Sequence, residues 1–150
     1  MTFDETYTDT SYIISNDNRS KIVLKDKKEP RQYLGNNVDK KRVIAYRVDG
    51  GIIKDGGKCD FVLCMRDTGI LYFVELKGGD YSKALFQVRT TIDSLVIKPV
   101  IDTFEVHARV VLSKARIPNI RFPEKTKLDR LLKRLNGNLK KESQRMVEFL

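Results

Sequence analysis

The chain has 150 residues, a formal net charge of +9, 41% hydrophobic residues and 33% charged residues. This length suits one domain with one core, and the composition is typical of a soluble protein with an excess of charge. No apolar run is long enough to predict a membrane-spanning helix, and the first ten residues are too acidic and polar for a signal peptide. We therefore expect a single domain over residues 1–150, located in the cytoplasm, with no membrane partner.

The basic charge is concentrated towards the C-terminal end of the sequence. Between Arg109 and Arg145 there are twelve Lys and Arg residues against three acidic residues, so this quarter of the chain carries the whole net excess. Such a concentration favours a polyanionic partner, most often nucleic acid. A solvated surface that keeps a small protein soluble is the alternative, and charge alone does not choose between them.

Cysteine and histidine are too few to predict a zinc site or a disulfide framework. Cys59 and Cys64 are five residues apart on one predicted strand, which places them on opposite faces and argues against a disulfide. His107 is the only histidine, so a zinc site lacks ligands. We expect His107 to have a structural role.

The N-terminal third predicts short extended elements. Residues 12–14 indicate a strand or a docked arm, and residues 21–24 indicate a second short strand. Residues 31–39 end in turn chemistry and leave room for at most one helical turn. Residues 42–48 predict a further strand.

Residues 58–77 predict an apolar hairpin that carries three charged groups. Both strands are apolar on both faces, which fits central strands covered on two sides. A turn at 67–69 pairs residues whose numbers sum to about 135 to 137. Asp60 and Glu75 should then lie nearly opposite each other, with Cβ atoms within roughly 5 Å. Glu75 and Lys77 share one face of the second strand.

Two carboxylates so close together predict a cation between them. Mg²⁺, or Mn²⁺ in its place, commonly binds one or two carboxylates together with substrate phosphates and water. Lys77 would then stabilise a developing negative charge or hold an attacking water. The structural alternatives are an ion pair of Glu75 with Lys77, contributing at most about 1 kcal/mol if exposed, and a turn role for Asp60 after two glycines.

A helix and a strand follow the hairpin. Asp80 is suited to cap a helix that runs to about Leu95, and Gln87 is expected on its solvated side. A strand over 104–112 should lie parallel to the strand that holds Glu75, because a helix connects them. The predicted buried stripe of the helix consists of Ala84, Leu85, Val88, Ile92 and Leu95.

The C-terminal region predicts one amphipathic helix. Residues 125–135 place leucines on one face and basic residues on the other, and Asn136-Gly137 closes the helix. The last thirteen residues fit either a strand or a helix.

Asp60 followed by Glu75-Leu76-Lys77, on adjoining core strands with a helix behind them, resembles the motif of the PD-(D/E)XK phosphodiesterase superfamily. This superfamily includes restriction endonucleases and Holliday-junction resolvases, and the matching part covers about residues 56–95. The resemblance implies an α/β fold with a restriction-endonuclease-like core, in which a central mixed β-sheet is flanked by helices.

The resemblance also implies roles for individual residues. Asp60, Glu75 and the Leu76 carbonyl would bind Mg²⁺ or Mn²⁺, Lys77 would be the catalytic lysine, and Gln87 matches a glutamine that some members carry on the following helix. The sequence departs from the family at two places. Cys59 stands where proline is common, and the acidic residue usual on an N-terminal helix has only Glu29 and Asp39 as candidates.

We therefore expect a metal-dependent endonuclease that acts on nucleic acid, with DNA as the favoured substrate. The alternative is an inert nucleic-acid-binding module with the same fold. A homodimer is a third expectation, through an apolar patch that includes Ile13, Ile14 or residues 146–150. The residues expected to bind the nucleic-acid backbone are Lys114, Arg116, Arg121, Lys127, Arg130, Lys133 and Arg134.

Overall fold

The computed structural model describes residues 1–26, 30–55, 58–76, 80–113 and 123–150. Within them the chain forms a six-stranded sheet, a three-stranded sheet and three α-helices. In chain order the elements are α1 (Phe3–Thr6), β1 (Ile13–Asp17), β2 (Lys21–Lys25), β3 (Gln32–Asn36), β4 (Val43–Arg47), β5 (Phe61–Met65), β6 (Ile70–Glu75), α2 (Tyr81–Ile92), β7 (Glu105–Leu112), α3 (Pro123–Arg134), β8 (Leu139–Ser143) and β9 (Arg145–Phe149).

The six-stranded sheet is mixed, and its strand order is β1-β4-β5-β6-β7-β8. The pairs from β1 to β6 are antiparallel, whereas β6, β7 and β8 run parallel to one another. The predicted crossover through α2 is confirmed, since β7 lies beside β6 in parallel orientation. The α/β class is also confirmed, with a mixed sheet at its centre.

Helix α2 is capped at its N-terminus and packs on the sheet through its buried stripe. The Asp80 carboxylate accepts a hydrogen bond from the Lys83 amide at 3.0 Å, as expected of an N-cap. All five residues predicted for the stripe lie in the apolar cluster between the helices and the sheet. Gln87 is buried, so its expected solvated position is wrong. Gln87 lies one helical turn before the buried Thr91, on the flank of α2 that contacts the start of β5 through the Cys59 amide.

The opposite face of the large sheet is covered by the second sheet, in the order β2-β3-β9. Tyr33 of β3 and Met146 of β9 pack in one apolar cluster with Leu63 and Val74 of the large sheet. Residues 32–36 form a strand, in a segment where the sequence left room for at most one helical turn. The helices in the described part of the chain lie on one face of the central sheet, and the second sheet covers the other face.

The C-terminal segment contributes one strand to each sheet. Helix α3 ends before Asn136, whose φ of 62° turns the chain into β8. At Gly137 a Cβ atom would lie 1.7 Å from the Val106 carbonyl oxygen, so only glycine fits there. The tail is thus two strands, β8 parallel to β7 and β9 parallel to β3. None of the helices in the described part of the chain has the length and apolar character needed to cross a membrane.

Candidate metal-binding site at the end of the hairpin

The β5–β6 hairpin has the register that the sequence predicts. Phe61 pairs with Val74 and Met65 with Ile70, so paired residue numbers sum to 135. The turn is closed by a hydrogen bond from the Gly69 amide to the Met65 carbonyl at 2.9 Å, and Gly69 has the positive φ of 75° that such a turn requires. Continued one step beyond the last pair, this register would set Asp60 opposite Glu75.

Asp60 is bound to the end of the neighbouring strand through the main chain. Its Oδ2 atom accepts a hydrogen bond from the Leu76 amide at 2.8 Å. The carbonyl oxygen of Leu76 accepts another from Nε of the buried Arg31 at 2.6 Å. A carbonyl oxygen has two lone pairs, so the proposed role of Leu76 as a metal ligand would use the second.

Glu75 lies on the helix side of the sheet and is 0% exposed. Its neighbours on alternate positions, Leu71 and Phe73, belong to the apolar cluster under the helices, whereas Tyr72 and Val74 belong to the cluster between the sheets. Asp60 is partly exposed. The pair therefore consists of one buried carboxylate and one that water reaches.

The pKa of the Cys59 thiol is raised by the surroundings of the residue. Burial raises the pKa of its thiol well above the usual value, and the negative charges of Glu75 and Asp60 raise it further. Its amide donates to the Thr91 hydroxyl of α2 at 3.0 Å, which ties the start of β5 to the helix. Cys59 and Cys64 lie in the same apolar cluster, so the expectation of opposite faces is wrong: Cys59 precedes β5 and does not continue its alternation. Both thiols are free.

The remaining predicted groups of the site have different outcomes. Lys77 and Glu29 lie outside the described residues. Gln87 lies one helical turn before Thr91, and its carbonyl accepts from the Thr91 hydroxyl at 2.6 Å. Asp39 is exposed and precedes β4 at the end that pairs with Met65, away from Asp60.

A short N-terminal helix, α1, exists but does not bring an acid to the site. Its Asp4 lies 3.8 Å from Arg66, at the turn end of the hairpin. Among the described residues, no group of three or more His, Cys, Asp and Glu side chains is arranged to hold a metal ion. The carboxylates that the described residues bring to the hairpin end are those of Asp60 and Glu75.

Lys141 is a residue near the site that sequence reasoning missed. Glu75 pairs with Val110 on β7, and Val110 pairs with Lys141 on β8, so the three share one row of the sheet. The Lys141 ammonium lies 5.0 Å from the centre of the Tyr81 ring, at the first turn of α2. Lys141 therefore faces the helix side, as Glu75 does. No sequence signal could have placed it there, because the tail could not be assigned to a strand.

The basic surface of α3 is present where the sequence predicts it. Leu128 and Leu132 are buried against the core. Glu124 pairs with Arg89 of α2 at 3.1 Å, and Asp129 pairs with Lys125 at 2.7 Å. Lys114, Arg116 and Arg121 lie outside the described residues, and the exposed predicted residues are Lys127, Arg130, Lys133 and Arg134.

The two alternative sets of residues named for a dimer interface lie in different sheets. Met146 is buried between the sheets, whereas Ile14 lies on β1 at the edge of the large sheet. Phe149 is exposed on the small sheet. His107 stacks on Tyr72 at 5.1 Å between ring centres, consistent with a structural role.

Comparison with known proteins found no matching family model, no matching curated protein and no matching solved structure.

Proposed function

We propose that this chain is a Mg²⁺-dependent nuclease that hydrolyses phosphodiester bonds, with DNA as its substrate and a restriction-endonuclease-like core. The observation that supports the proposal is the register of the hairpin, whose continuation by one residue would set Asp60 opposite Glu75 at the end of two buried strands. Two neighbouring carboxylates repel each other, and a divalent cation bound by both Asp60 and Glu75 would relieve that repulsion.

The donor set fits Mg²⁺. Both side chains offer hard oxygen atoms, and a site with two protein carboxylates leaves coordination positions for water and for substrate phosphates. The partial exposure of Asp60 gives such a site access to solvent. When bound, the ion would polarise the scissile phosphate.

Residues of the chain would position the attacking water, contact the nucleic-acid backbone and support the metal ligands. Lys77 would hold the attacking water or stabilise the negative charge that develops. Lys141, in the row of Glu75, and the basic residues of α3 would contact backbone phosphates and position the strand. Arg31 would hold the Leu76 peptide, and with it the Asp60 carboxylate, in place.

The experiment is Mn²⁺ binding followed by electron paramagnetic resonance, together with cleavage of plasmid, linear and single-stranded DNA in the presence of Mg²⁺. Asp60→Asn keeps an oxygen that can accept from the Leu76 amide, so the fold should persist while metal binding and cleavage are lost. Glu142→Gln, an exposed acid on β8, is the matched control and should retain both. Lys77→Ala should keep Mn²⁺ binding and lose cleavage. Absence of Mn²⁺ binding by the wild type would refute the proposal.

One observation favours the second candidate, an inert nucleic-acid-binding module. The main-chain N–H and C=O groups of Leu76 already have protein partners, in Asp60 and Arg31. If Asp60 only holds the hairpin end, the protein binds DNA with a steep salt dependence, binds no Mn²⁺, and is unaffected in DNA binding by Glu75→Gln.

A further inference from the structure

The outer face of the three-stranded sheet is a regular grid of nine side chains. The pairing aligns three rows across β2, β3 and β9, and alternate residues point away from the core. The central row is aliphatic, with Val23 and Val147 50% and 49% exposed on either side of Leu34. The outer rows are Lys21, Asn36 and Phe149 on one side, and Lys25, Gln32 and Arg145 on the other.

The charge on this grid has one sign. Its three charged residues, Lys21, Lys25 and Arg145, are all basic and all exposed, and none of the nine residues is acidic. The fourth corner is Phe149, which is 73% exposed. Glu148 of β9 points the other way, since it accepts hydrogen bonds from Arg109 at 2.9 and 3.0 Å under the sheet.

We propose that this grid binds single-stranded nucleic acid, independently of the hairpin site. Three cations around an apolar centre suit phosphates around unstacked bases, and an exposed aromatic ring offers a base a stacking surface. The carboxamides of Gln32 and Asn36 lie beside the central row, where they can donate to and accept from base edges. The grid spans about 10 by 13 Å, from strand spacing and residue rise, which is room for two or three bases, as on other nucleic-acid-binding sheets.

The same features disfavour other occupants. A second copy would bring three cations against three cations. Duplex DNA keeps its base faces stacked, so it would use the corner charges and leave Phe149 and the aliphatic row without a role. The small sheet lies on the face of the large sheet opposite α2 and α3. A strand on the grid is therefore separate from one held by α3.

Binding of a fluorescently labelled oligothymidine is measured by anisotropy in EDTA, so that the metal site plays no part. Phe149→Ala should weaken binding at least about fivefold, because stacking on an aromatic ring contributes on the order of 1–3 kcal/mol per base. Phe104→Ala is the matched control, since Phe104 is 62% exposed and lies outside the grid; it should leave affinity unchanged. Asp60→Asn should also leave it unchanged, which separates this site from the proposed nuclease.

The charges are tested by a pair of triple variants with equal net charge. Replacing Lys21, Lys25 and Arg145 by Ala should lower the slope of log affinity against log salt by about 2, from 0.7 per phosphate contact. Replacing Lys127, Arg130 and Lys133 of α3 should lower it by less. Equal effects of Phe149→Ala and Phe104→Ala, equal slopes for the two triple variants, equally tight binding of a polyglutamate peptide, or a dimer in sedimentation that Phe149→Ala dissociates would each overturn the proposal.

Discussion

Lys141 and Lys140 are adjacent on β8 and point to opposite sides of the sheet. Only Lys141 lies on the side that carries Glu75, so a comparison of the two lysines tests whether that side binds DNA. Lys141 is in the row of Glu75, two strands away, which is about 10 Å between Cα atoms. Its ammonium is exposed beside the ring of Tyr81. We expect Lys141→Ala to remove one phosphate contact of bound duplex DNA, and Lys140→Ala to remove none.

The expected magnitude follows from counterion release. One contact contributes about 0.9 to the slope of log affinity against log salt, so between 50 and 200 mM salt the wild type should lose about three to four times more affinity than Lys141→Ala. Fluorescence anisotropy with duplex DNA in EDTA measures the slope of log affinity against log salt for the wild type and for Lys141→Ala. Lys141→Arg keeps the positive charge and should have the wild-type slope. Loss of the contact with Tyr81 should lower stability by only about 0.5–1 kcal/mol, which thermal unfolding checks. Equal slopes for Lys141→Ala and Lys140→Ala would refute the assignment of Lys141 to the binding face.

Three further predictions concern the scaffold. Glu148→Ala leaves Arg109, which is 3% exposed, without its carboxylate and should reduce the free energy of unfolding by about 3 kcal/mol in urea titration; a loss below 1 kcal/mol would contradict this. Gly137→Ala should cost about 1–3 kcal/mol in the same assay, because the new Cβ would collide with the Val106 carbonyl. Burial raises the pKa of the Cys64 thiol to about 12, so at pH 8 the folded protein should be alkylated there about a thousandfold more slowly than the unfolded chain. Above the pKa of the unfolded thiol, the folded state keeps the Cys64 proton while the unfolded state loses it. The free energy of unfolding should therefore fall as pH rises through this range.

The hairpin could be predicted because its determinants are local. A short turn containing Gly69 fixes the register, and period-two alternation assigns each side chain to a face. The paired numbers sum to 135 in the structure, within the predicted range. Helix α2 could be predicted equally well, since its Asp80 cap and its apolar residues lie within sixteen residues of one another.

The second sheet could not be predicted, because its pairing is distant in sequence. Residues 32–36 contain a glycine and two polar positions, and their parallel partner β9 lies more than a hundred residues away. The row that joins Glu75 to Lys141 could not be predicted for the same reason, because β8 is also distant in sequence from β6. Gln87 was misplaced for a related reason: a helical stripe shows which face meets the sheet, but not that the residues before β5 will pack against the adjoining flank, where Thr91 contacts Cys59.

One of the connections between the two sheets, from β8 to β9, is the single residue Gln144. Its amide donates to the Leu112 carbonyl of β7 at 2.7 Å, and its carbonyl accepts from the Gln32 amide of β3 at 3.2 Å. Its φ of 67° makes the sharp reversal that such a double contact needs. On one side of this reversal lies the strand that carries Lys141 into the row of Glu75, and on the other lies the strand that supplies Arg145, Val147 and Phe149 to the outer grid. Residues 139–150 therefore contribute to both proposed nucleic-acid-binding surfaces. One surface lies beside the hairpin that carries Asp60 and Glu75, and the other is the outer grid of the three-stranded sheet.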